Sequence, residues 1–110
     1  MAGTLLFKVK YEFLTNREIT QGYRCDWAYD KKDPLYIIWS SFVGLDGVEL
    51  KEGGSVPKEG LANMYLLEES YEKFHREHLV LDDGGLFMEG KTPIANVVVI
   101  EVQVLSSYFI

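Results

Sequence analysis

The chain has 110 residues, 47% of them apolar, 14% aromatic and 25% charged, a composition that suits one globular domain and leaves too little length for two. Eleven Lys and Arg against seventeen Asp and Glu give a net charge of −6, which disfavours polyanionic partners such as nucleic acid and anionic membrane. The single cysteine, Cys25, has no mate for an internal disulfide and points to a reducing cytoplasm, while no apolar run reaches the roughly 18 residues that span a bilayer and Lys8 comes too early for an export signal.

Period-two alternation opens the chain. Phe7, Val9, Tyr11 and Phe13 share one face and Lys8, Lys10 and Glu12 the other, the pattern of a half-buried antiparallel strand. After the polar break Thr15-Asn16-Arg17, Tyr23, Cys25, Trp27 and Tyr29 alternate with Arg24, Asp26 and Ala28, which predicts a second strand over residues 23–29 with Trp27 inward. A charged turn closed by Pro34 leads into a third strand, predicted over residues 35–43 from its aromatic and β-branched content. The next stretch is predicted as loop, because Gly44, Gly47, Gly53, Gly54, Pro57 and Gly60 break any long element; Val48-Glu49-Leu50 is the one short strand segment within it.

Residues 61–67 form a predicted fourth strand. Residues 68–78 carry the only helical spacing, with Leu67, Tyr71 and Phe74 four and three apart. Strand then resumes at residues 78–81, Asp82-Asp83-Gly84-Gly85 is a predicted turn, residues 86–88 are strand, Gly90-Lys91 is a second turn, and residues 94–104 form a long final strand. About six short strands in this length predict an all-β antiparallel barrel or sandwich in a single domain, residues 1–110.

Each group that can carry chemistry has a plain structural role beside the chemical one. His75 and His78, with Glu72 and Glu77, have a spacing that can put two imidazoles on one helix face, but no third strong ligand completes a zinc set, so no metal and no cofactor are expected. Cys25 falls on the apolar face of its strand and reads as a small buried hydrophobe rather than a nucleophile. Asp82-Asp83 and Glu68-Glu69 read as solvated turn residues rather than an acid and base pair. Tyr11, Tyr23, Trp27, Tyr29, Tyr36 and Trp39 are the usual filling of β structure, and stacking on bases would also need a basic groove. Residues 85–92 spell Gly-Leu-Phe-Met-Glu-Gly-Lys-Thr, the literal spacing of a phosphate loop, yet such a loop must open a helix and Pro93 with Val97-Val98-Val99-Ile100 predicts a strand. GTPase activity is therefore excluded. The tail Ser106-Ser107-Tyr108-Phe109-Ile110 reads as a cover for a barrel opening or as an oligomer contact.

Gly22-Tyr23-Arg24, followed at strand spacing by Trp27 and Tyr29, resembles the Gly-Tyr-Arg-Pro strand of the C-terminal β-barrel, the third domain, of elongation factor Tu and related translation GTPases, with Cys25 in the proline's place. The stretch from Glu89 through Gly90-Lys91-Thr92 to Val98 is similar to that family's Glu-Gly-Gly-Arg-Thr segment, and the order of features agrees from Leu5 to Val104. The resemblance implies a six-stranded Greek-key barrel. Within the family that barrel packs on a second barrel, holds tRNA by its helical stem and meets the exchange factor. It also implies that Tyr23, Arg24, Lys91 and Thr92 are the binding residues. The expectation for a barrel standing alone is a non-enzymatic module that docks a protein partner or a second copy of itself; the alternative is a small enzyme or RNA-binding domain with a rim site around Arg24 and Lys91.

Overall fold

The computed structural model describes residues 3–30, 32, 34–67 and 69–103. Its strands are β1 (Thr4–Phe13), β2 (Ile19–Thr20), β3 (Asp26–Ala28), β4 (Ile38–Val43), β5 (Ser55–Val56), β6 (Glu59–Leu66), β7 (Gly84–Glu89) and β8 (Thr92–Val102), and its one α-helix, α1, is Glu72–His78 after a 3₁₀ turn at Glu69–Tyr71. Six strands make one antiparallel sheet in the order β3-β7-β8-β1-β6-β4, while β2 and β5 form a separate two-residue ladder. The sheet curls into a half-barrel, and its two ends meet at one point where Trp27 and Tyr36 exchange both backbone hydrogen bonds at 2.8 Å.

The alternation read in β1 is the alternation observed: Phe7, Val9, Tyr11 and Phe13 are buried inside the curl, and Lys10 and Glu12 face out. They meet Trp27, Phe42, Phe87, Met64 and Leu66 to form the core. Most of its rings pack edge-on or tilted, Phe7 on Trp27 at 5.0 Å and Tyr11 on Phe42 at 5.2 Å between centroids, as ring quadrupoles favour. Trp27 is fully buried, as its strand position predicts, and Cys25 is buried beside Ser40.

Several boundaries are corrected. The second predicted strand shrinks to the three residues of β3, because the chain before it is diverted: Gln21 pairs by its backbone with Gly53 and Gly54 and lays its side chain along the edge of β4. Its Oε1 accepts from Phe42 N at 2.9 Å, and its Nε2 donates to Ser41 Oγ, Phe42 O and Leu50 O at 3.0–3.2 Å. The third strand begins only at Ile38, since Tyr36 pairs across the seam with Trp27 before the chain moves over to β6. Val48-Glu49-Leu50 is no strand; Glu49 makes a single bridge to Val43. Residues 68–78 hold a helix, but the strand expected at 78–81 is absent: His78 closes α1 and a turn follows, with Asp82 at φ 72°.

Gly84 and Gly85, expected in that turn, lie inside β7. Glycine is required at 85 for a steric reason, because a Cβ there would overlap the six-membered ring of Trp27. The Gly90-Lys91 turn is present, with Gly90 at φ 59°, the left-handed conformation a two-residue hairpin asks for. The tail Ser106 to Ile110, Val104 and Glu68 lie outside the described residues. No helix among the described residues is long and apolar enough to cross a membrane.

Candidate functional site

The four residues singled out from sequence are placed as follows. Tyr23 is half-buried; its hydroxyl accepts from Arg17 Nη2 at 3.1 Å and donates to Glu89, which Arg17 also binds at 2.7 Å. Burial, helped by the Glu89 contact, pushes the Tyr23 phenol up to about 12, so it stays a neutral donor. Thr92 sits opposite Glu89 in the β7–β8 ladder, and Lys91 stands exposed at the hairpin tip. Tyr23 and the hairpin are thus neighbours through Glu89. Arg24 goes elsewhere: its guanidinium lies 4.8 Å over the Trp39 ring on β4, a cation–π contact. The four residues do not converge on one concave site.

The remaining sequence candidates separate. Residues 85–92 are β7 and its hairpin, with no helix at Lys91-Thr92 and so no cradle of amides for a phosphate. Burial raises the Cys25 thiol to about 12, which keeps it protonated and unreactive. His75 points inward and His78 outward, where Nδ1 of His78 lies 3.1 Å from Phe74 O, so the pair shares no ligand. Among the described residues no three His, Cys, Asp or Glu side chains come together in a way that could hold a metal.

What converges lies around α1. Phe74, His75 and Leu79 sit at helical spacing on one face of a helix too short to be stable alone, so packing must hold it. Three contacts do so. Arg76 bonds Glu72 at 3.1 Å and donates to Gln103 O at the end of β8. Phe74 packs on Tyr36 at 5.3 Å. His75, only 1% exposed, places Nδ1 at 2.6 Å from the Tyr29 hydroxyl, and its ring stands edge-on to Tyr36 at 4.8 Å. Burial drops the imidazole pKa to about 4, so His75 is neutral at physiological pH. A neutral imidazole nitrogen is a better acceptor than a phenol oxygen, so Tyr29 donates to Nδ1 and the proton of the ring resides on Nε2.

Beside this contact lies a pocket of about 480 Å³ lined by Leu35, Tyr36, Ile37, Leu66, Tyr71 and His75, with Pro34 at its margin. Leu35, Ile37 and Tyr71 are 41%, 68% and 49% exposed although all three are large and apolar or aromatic. Its size falls in the ~300–1,000 Å³ range of ligand sites, and its described walls carry no charged side chain. The sequence marked Tyr36 and His75 singly but not their meeting, which depends on the Trp27–Tyr36 seam and on helix docking. The detectable signal was Tyr71, Phe74, His75 and His78 at helical spacing, four ring-bearing residues on one short segment.

No protein-family model and no curated protein matches the chain.

Proposed function

We propose that the chain is a non-enzymatic binding module that docks a protein partner at the helix-capped end of its half-barrel, in the pocket between residues 34–37, which lead into β4, and the helical segment of Tyr71 and His75. The observation that carries this reading is the exposure of Leu35, Ile37 and Tyr71 around one apolar concavity, since large apolar side chains left in water together mark interaction surfaces. A partner is favoured over a second copy because two chains of net charge −6 repel on approach. The half-barrel and its seam are compatible with a closed six-stranded Greek-key barrel of the elongation factor Tu third-domain type, a relationship that rests on the Gly22-Tyr23-Arg24 resemblance. The unpaired Cys25 supports a cytoplasmic location.

A benzoylphenylalanine photo-crosslinker placed at Ile37, with one at the fully exposed Leu45 as control, tests the reading in the native cytosol. The expected result is a discrete adduct from position 37 that position 45 does not give. An adduct of twice the chain's mass would replace the partner with self-association, and equal labelling from both positions would overturn the docking surface.

A further inference from the structure

The pocket's lining specifies the chemistry of what enters it. Its described walls are the rings of Tyr36, Tyr71 and His75 and the aliphatic side chains of Leu35, Ile37 and Leu66, with no ionised group among them, and a charge left unpaired in such a place is strongly disfavoured. These apolar and aromatic walls favour an uncharged anchor. Tyr36 stands edge-on to His75 and at 69° to Tyr71, with centroids 4.8 and 6.0 Å away, so the wall is an open herringbone that one more ring continues. An aliphatic side chain would fill the space without that gain. With Tyr29 donating to Nδ1 of His75, the ring proton lies on Nε2, and the imidazole lines the pocket. A donor at the wall of an apolar pocket asks for an acceptor on the occupant. Outside the pocket, Glu69 lies on the same turn as Tyr71, in a chain of net charge −6.

Resting on the docking reading above, we infer that the pocket takes an aromatic side chain of a protein partner with basic residues on either side, and that His75 Nε2–H donates a hydrogen bond to an oxygen of that segment. Tyr29 is then a positioning residue: it touches no ligand and holds the imidazole in the donor tautomer.

The test uses the isotope-labelled full chain and three short peptides as probes, acetyl-Lys-Leu-Tyr-Lys-amide, its Tyr→Ala version and its Lys→Glu version. The tyrosine peptide should shift the amides of residues 35–37 and 71–75 and move the His75 Nε2 resonance in long-range nitrogen spectra. The alanine peptide should bind at least tenfold more weakly. The glutamate peptide should bind severalfold more weakly, by a margin that shrinks as salt is raised. Tyr29→Phe should weaken the tyrosine peptide severalfold and change the tautomer signal, a readout that simple loss of packing does not produce; if that variant fails to fold, the peptide series on the native chain decides alone. Equal binding of the tyrosine and alanine peptides, shifts confined to other surfaces, or no binding at millimolar peptide would overturn the anchor chemistry. If position 37 still crosslinks a discrete protein in that case, the docking reading stands and only the occupant is wrong; if both fail, the docking surface itself falls.

Discussion

At the scale of single residues, two buried groups have consequences that can be measured. His75 titrates near 4 in the folded chain because burial disfavours its cation, against 6.5 for a solvent-exposed imidazole. Its folded pKa is depressed, so below 6.5 the unfolded chain binds a proton that the folded chain refuses, and stability is lost as pH falls from 6.5 toward 4. The slope approaches about 1.4 kcal/mol per pH unit for one such group. Urea denaturation in half-unit pH steps should show this decline in the native chain, and a His75→Gln chain should show it flattened above pH 5. The second group is Trp27, which sits fully buried against Gly85. Trp27→Ala should destabilise by about 3–5 kcal/mol through lost burial and the cavity left behind. Gly85→Ala should destabilise by about 1–3 kcal/mol for the opposite reason, since the added methyl overlaps the indole. An outward, functional tryptophan would leave both variants near wild type in thermal and chemical denaturation.

At the scale of elements, the sequence was readable where one face of a strand met the core and unreadable where the sheet closes. The alternation of Phe7, Val9, Tyr11 and Phe13 specified β1 because strand geometry sends every second side chain inward. The β3–β4 seam carries no such periodic signal: its partner for Phe42 is the side-chain amide of Gln21, and a lone buried Gln in a sequence looks like any turn residue. The same diversion shortened the predicted strand over residues 23–29. Gly84 and Gly85 were misplaced because an Asp-Asp-Gly-Gly run has turn chemistry, whereas the contact that demands Gly85 comes from a residue 58 positions earlier in the chain. The helix was visible, but its site was not, since the pocket is made by Tyr36 and Ile37 arriving from the far end of the sheet. The seam itself is testable. Gln21→Ala removes four hydrogen bonds, three with the backbone of Phe42 and Leu50 and one with the Ser41 hydroxyl, and should cost about 1–3 kcal/mol, and Gln21→Glu should cost more, because a carboxylate cannot donate to the Phe42 and Leu50 carbonyls. Hydrogen exchange at the Phe42 amide should accelerate in both, while the amides of β1, central in the sheet, keep their protection.

At the scale of the whole molecule, the half-barrel puts its aromatic core under β1 and leaves an apolar pocket beside the Trp27–Tyr36 seam. The chain as a whole is acidic, with a net charge of −6. The residues expected from sequence to bind, Tyr23, Arg24, Lys91 and Thr92, lie on other parts of the surface, two of them engaged with Glu89 and Trp39. The central claim is that the exposed apolar rim at the helix-capped end holds the partner, and Ile37, the most exposed of the three rim residues, is the point at which to challenge it. Ile37→Asp removes no core contact, so its melting temperature should match the native chain's, and a surface change of this kind stays within about 0.5 kcal/mol. The affinity for the protein captured at position 37, measured by titration calorimetry at one salt concentration, should fall at least tenfold, as truncating a central interface residue does. An unchanged affinity in a fully folded Ile37→Asp chain would contradict the account.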